Sequence, residues 1–120
     1  VWEVLKRHKV NPHPCYRAGW NRCSCAMCIF STPKLFAGIR ELYPEDFEAL
    51  RNDENILGFT LDNKCNLDEF VGDTESCVYH GDKEAIRSLI TGEFTTDDIY
   101  VKGDWLYPAG AFHGAEGGPC

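Results

Sequence analysis

The chain has 120 residues and a mass of 13.6 kDa, the size of one domain able to bury about two-thirds of its unfolded surface. Its 43% hydrophobic, 12% aromatic and 26% charged composition excludes disordered, collagen-like and coiled-coil classes. No stretch reaches the roughly 18 apolar residues of a membrane span, so a soluble chain without a membrane partner is expected. The net charge of −7 hides an asymmetry, because residues 1–40 carry seven basic side chains against Glu3 alone, whereas residues 41–120 carry five against eighteen acids. The overall acidity disfavours a general nucleic-acid binder. Lys6, Arg7, Lys9, Arg17 and Arg22 could still attract a phosphate or sulfate group, or simply form a solvated face.

In chain order, Val1, Trp2, Val4 and Leu5 among the charges of residues 1–9 match the last turns of an amphipathic helix. Pro12, Pro14 and Gly19 make residues 10–24 a loop or short extended segment, with helix returning near Cys28. Thr32 or Ser31 caps a helix with Pro33 in its first turn and a stripe of Leu35, Phe36, Ile39, Leu42 and Tyr43, stopped by Pro44. A further helix starts there, with Glu45 and Asp46 in its first turn and Phe47, Leu50, Ile56 and Leu57 as its buried stripe up to Gly58. Asn66 and Glu69 make a capping-box-like start to a short helix ended by Gly72. Asp82 opens the last helix, with Ala85, Ile86, Leu89 and Ile90 on one face and Gly92 beyond its end. Ile99-Tyr100-Val101 and Trp105-Leu106-Tyr107 read as a small β-hairpin about Lys102-Gly103-Asp104, and the Gly-rich tail as irregular. The expected fold is mainly α with a small β-hairpin.

Seven cysteines, an odd number, cannot all close into intramolecular disulfides. Cys15, Cys23, Cys25 and Cys28 spell C-x7-C-x-C-x2-C within fourteen positions. In an extended segment Cys23 and Cys25 point the same way, and Cys28 returns to that side if the chain turns helical after Cys25. Thiolates at this density suit an iron–sulfur cluster or zinc, with inert buried thiols or a redox disulfide as the other readings. Cys77-x2-His80 with Cys65 upstream has zinc-like spacing but no second thiolate pair, so Cys65 and Cys77 read as buried apolar side chains. His13, in His-Pro-Cys, is either a ligand or an ordinary loop histidine. No Ser-His-Asp, His-Glu-x-x-His or paired-carboxylate pattern supports a hydrolase.

The segment from Trp2 through Asn11 to Tyr16, Gly19, Arg22, Cys25 and Cys28 resembles the C-terminal part of phosphoadenosine phosphosulfate reductase-like proteins of the adenine nucleotide alpha-hydrolase superfamily. Those relatives carry a tryptophan-containing helix, then Asn-Pro-x-Tyr-x-x-Gly-x-x-Arg and a Cys-x-x-Cys pair, and the match covers about a third of the chain. His13-Pro14 extends the Asn-Pro element, Ser24 stands where a glycine is usual, and Cys15 and Cys23 add two cysteines to the pair. The added thiols are similar to a branch that holds a four-iron four-sulfur (4Fe-4S) cluster in sulfur transfer.

The resemblance implies that residues 1–120 form a single cysteine-rich domain, the C-terminal helical part of a larger α/β enzyme of sulfur metabolism. That oxidoreductase or sulfur transferase would reduce a sulfonucleotide or transfer sulfur with a nucleotide. The family's Ser-Gly-Gly-x-Asp-Ser-type phosphate loop is absent from this sequence, so the adenine sulfonucleotide would be bound through a missing N-terminal domain and this piece alone would be inactive. Cys15, Cys23, Cys25 and Cys28 would hold the cluster or zinc, and Arg17 and Arg22 would help place an anion. Cys120 corresponds to the family's catalytic tail cysteine only in being a tail cysteine. The alternative is a zinc-stabilised interaction or nucleic-acid-binding module without catalysis. Thiol usage and the lack of a signal sequence give a cytoplasmic expectation.

Overall fold

The computed structural model describes residues 1–111. The expectations for the tail, including Cys120, fall outside the described residues. The architecture is mainly helical: α1 (Trp2–Arg7), α2 (Pro14–Arg17), α3 (Pro33–Leu42), α4 (Pro44–Leu57), α5 (Leu67–Val71) and α6 (Lys83–Thr91), with an isolated antiparallel bridge between Val10 and Tyr100. No described helix is long and apolar enough to cross a membrane. The described residues divide into two compact units, one of Val1–Cys23 together with the chain from Val78 onward, the other Ser24–Cys77.

The first unit holds α1, α2 and α6, with α2 packed on α6. Segment 10–24, expected as a loop, contains the single helical turn α2. Pro14 drives His13 into an extended conformation (ψ 139°) and fits the first helical position, so a helix starts there. It ends in a Schellman motif, with the Trp20 amide donating to the Cys15 carbonyl (2.9 Å) and the Gly19 amide to the Tyr16 carbonyl (3.3 Å). Gly19 takes φ 113°, which side chains disfavour. Cys15, Ala18, Trp20, Ala85, Trp105 and Ala111 are buried in this unit.

Gly110 lies against the Trp20 carbonyl, where an added Cβ would stand 1.9 Å from the oxygen, and its amide donates to the Tyr16 carbonyl at 2.8 Å. The expected hairpin does not form among the described residues. The 99–101 run pairs instead with 9–11, through Asn11 N–H to Ile99 O (2.7 Å) and Val101 N–H to Lys9 O (2.8 Å). The Trp105 indole donates to the Val10 carbonyl at 2.7 Å, so its side chain anchors the same segment instead of pairing as a strand.

The second unit packs α3, α4 and α5 against one another. Helix does not return near Cys28; residues 26–30 form turns, and the regular helix waits for Pro33. Thr32 Oγ1 accepts from the Leu35 amide (3.4 Å) and Asn66 Oδ1 from the Glu69 amide (2.9 Å), as their sequence positions predict. Phe36, Ile39, Leu67 and Val71 form the fully buried centre, and Phe36 meets Phe70 edge to face at 6.0 Å. Phe47 is buried on α4, but Ile56 and Leu57, expected in its stripe, are 80% and 67% exposed. The C-terminal end of α4 is held by Glu54, whose buried carboxylate accepts from the Leu61 and Leu67 amides, each at 2.8 Å. The chain leaves α4 through Gly58 in the left-handed conformation and returns beneath Glu54, so no element covers Ile56 and Leu57 in this unit.

Candidate metal centre

Among the described residues, one group of three metal-ligating side chains converges: a ring nitrogen of His13 and the sulfurs of Cys15 and Cys23, all within 4.8 Å of one another. All three belong to the first unit. The local chain explains the convergence. Cys15 is the second residue of α2, His13 is its N-cap, and the Gly19 turn reverses the chain so that Cys23 comes back alongside them. Cys15 is buried, whereas His13 and Cys23 are exposed, so the group lies where the interior meets the surface. The His13 ring also stacks at a tilt on Phe94, 5.3 Å between centroids.

Burial pushes the Cys15 thiol up, and the charge and hydrogen bond of neighbouring Cys23 push it the same way. Desolvation holds His13 below its ordinary value, favouring the neutral imidazole that a metal requires. His13 Nδ1 is occupied as a helix cap, accepting from the Cys15 amide at 3.1 Å. An amide N–H only donates, so with Nδ1 accepting, the proton of the neutral ring sits on Nε2, and either nitrogen ligates only once this bond is given up. A cap contributes about 1 kcal/mol. A structural zinc ion contributes roughly 10–16 kcal/mol in small peptides, so the cap does not prevent binding.

Of the residues proposed from sequence, the fold brings Cys15 and Cys23 together and adds His13, which the four-cysteine set omits. Its signal was the His-Pro-Cys order itself, because a residue placed before a helix-starting proline is an N-cap, and the His13 ring folds back over the first turn onto the Cys15 amide. Cys25 is exposed and Cys28 half-buried, both in the second unit. Arg17, expected to hold an anion, pairs with Asp82 (3.6 Å), which also caps α6 through the Ala85 amide (2.9 Å). Arg22 is half-buried.

Cys65 donates to Asp62 Oδ1 at 3.5 Å, and burial pushes the Cys77 thiol up to about 12. Neither thiol joins a metal-ligating group with His80 among the described residues. An apolar pocket in the second unit is lined by Ile29, Phe36, Leu61 and Phe70, with Glu54 on its wall already committed to two backbone amides. No family model matches the chain, and no curated protein or solved structure does either.

Proposed function

We propose that the first unit is a metal-binding module in which His13, Cys15 and Cys23 hold a single ion, zinc, and that the chain is the cysteine-rich C-terminal part of a phosphoadenosine phosphosulfate reductase-like enzyme. The observation that carries the metal reading is the 4.8 Å limit on the separation of the three donors. Around one tetrahedral zinc, with Zn–S near 2.3 Å and Zn–N near 2.0 Å, donors stand about 3.5–3.8 Å apart, so a contraction of about an ångström closes the site. Cysteines bound to separate irons of a four-iron cluster project from different corners of a cube and stand farther apart. One imidazole and two thiolates also match zinc in softness.

Three protein ligands leave one of four positions for water or a substrate atom, the arrangement of zinc sites that do chemistry. When bound, zinc would act there as a Lewis acid. The chain's own contribution is positional: α2 presents His13 and Cys15 in one turn, and the Gly19 reversal presents Cys23. The parent reading rests on the ordered Trp2, Asn11, Tyr16, Gly19, Arg22, Cys25 and Cys28 pattern, and assigns an adenine sulfonucleotide as the partner of an upstream nucleotide domain. Sequencing the parent gene tests it, since a Ser-Gly-Gly-x-Asp-Ser-type loop should lie upstream and its absence would remove the reductase assignment.

The metal is tested by anaerobic purification followed by assay of zinc, iron and acid-labile sulfide. Colourless protein with one zinc per chain is expected, lost in Cys23→Ser and retained in Cys25→Ser. Brown protein containing iron and sulfide would replace the single ion by a cluster. Metal loss in Cys25→Ser would bring back the four-cysteine set.

A further inference from the structure

The two sulfurs of the metal group also have a chemistry of their own. Cys15 and Cys23 are neighbours, their sulfurs lying within 4.8 Å of each other. A disulfide bond is about 2.0 Å long, so the sulfurs need to approach by no more than about 3 Å. Cys23 is exposed and lies outside any helix, so rotation of its side chain can supply much of that approach. The Cys15 end is fixed by the Schellman bonds of α2 and by the Gly110 amide on the neighbouring Tyr16 carbonyl. Cys65, by contrast, hydrogen-bonds a carboxylate rather than a second thiol.

We propose that Cys15 and Cys23 are a modification site, a thiol pair that a hydroperoxide converts into a reversible disulfide, and that closing the disulfide expels the metal. The expulsion rests on the metal reading above; the pairing does not. Exposure assigns the order of events. The exposed Cys23 sulfur attacks the peroxide, the O–O bond breaks, and Cys23 sulfenic acid and an alcohol (water, for hydrogen peroxide) are formed. Buried Cys15 then attacks the Cys23 sulfur while its thiol proton passes to the departing hydroxyl; the S–O bond breaks, the disulfide forms and one water leaves. Two thiols lose two electrons and two protons, and the peroxide takes up both; from zinc-bound thiolates the electrons come from the sulfurs and the two protons from solvent as the ion departs. A disulfide sulfur is a poor zinc ligand, so oxidation removes two of three donors at once and leaves His13 free to resume its cap on the Cys15 amide.

The test loads reduced protein with one equivalent of zinc and titrates it with hydrogen peroxide, following released zinc with a chromogenic chelator. Samples are quenched in acid, alkylated and digested with trypsin. Cleavage after Lys9, Arg17, Arg22 and Lys34 places Cys15 in the peptide 10–17 and Cys23 in the peptide 23–34, where fragmentation between Cys23 and Cys25 identifies the linked sulfur. One Cys15–Cys23 link should appear for each zinc released, with both changes reversed by dithiothreitol and the link absent in Cys23→Ser but retained in Cys65→Ser. Bound zinc with Cys15 alkylated at every peroxide dose, or Cys15 linked to another cysteine, would overturn the proposal while sparing the metal reading. Reduced protein that takes up no zinc before peroxide is added would overturn the metal reading and the expulsion, and the metal-free titration would then decide the pairing alone.

Discussion

His13 caps α2 in this structure and is proposed to ligate zinc, and two substitutions distinguish these roles. In the metal-free protein it caps α2 by accepting from the Cys15 amide at 3.1 Å. In the loaded protein it would give one ligand of three. His13→Ala removes both tasks, whereas His13→Asn keeps a good capping oxygen without an imidazole. Trp2, Trp20 and Trp105, all the tryptophans of the chain, lie in the first unit, so a tryptophan-fluorescence melt reports that unit alone. For a unit of this size 1 kcal/mol moves the midpoint by about 5 °C. Loss of the cap costs about 1 kcal/mol, so metal-free His13→Ala should melt about 5 °C below wild type, with His13→Asn close to wild type.

Zinc at a hundred times its dissociation constant stabilises wild type by about 2.7 kcal/mol, an upward shift of about 14 °C. If losing a ligand weakens binding about a hundredfold, the same zinc concentration stabilises either variant by only about 0.4 kcal/mol, or about 2 °C. A His13→Asn protein that keeps the full zinc shift would refute the ligand role. Equal metal-free midpoints for the Ala and Asn variants would refute the cap.

Three further outcomes follow from the packing. Glu54→Ala removes both acceptors of the Leu61 and Leu67 amides and strands the latter in the interior, a loss of about 3 kcal/mol in far-UV circular dichroism melts; Glu54→Gln, which keeps one acceptor, should lose about half as much. Gly110→Ala forces a Cβ onto the Trp20 carbonyl and should cost about 1–3 kcal/mol in the first unit, read by the same tryptophan signal, with the second unit unaffected. Burial holds the Cys77 thiol at about 12 against an ordinary 9.0, so the folded state keeps a proton that the unfolded state releases. Its contribution is therefore complete below pH 9 and declines as pH rises toward 12, by at most about 1.4 kcal/mol per unit. Between pH 9 and 10.5 wild type should lose more stability than Cys77→Ala, and parallel slopes in denaturant titrations would contradict the burial argument.

The sequence by itself determined the helical character and most helix boundaries, because these are local properties. Thr32, Asn66 and Asp82 supply their side-chain oxygens to amides three residues on, and Gly58 and Gly92 supply the left-handed exits, so each signal and its effect lie within one turn. The cysteine density likewise marked the N-terminal third as the place to look for a metal-ligating group. Tertiary structure decided the rest. Ile99-Tyr100-Val101 has strand character, but its partner is the segment at Val10, some ninety positions away, which no local turn signal can specify. Ile56 and Leu57 obey the helical period, yet the Glu54-anchored return of the chain leaves them uncovered. Spacing pointed to four cysteines, whereas the single turn of α2 and the reversal at Gly19 bring His13, Cys15 and Cys23 within 4.8 Å of one another, because convergence depends on where the backbone turns, and that turn is fixed by contacts as distant as Gly110 on Tyr16.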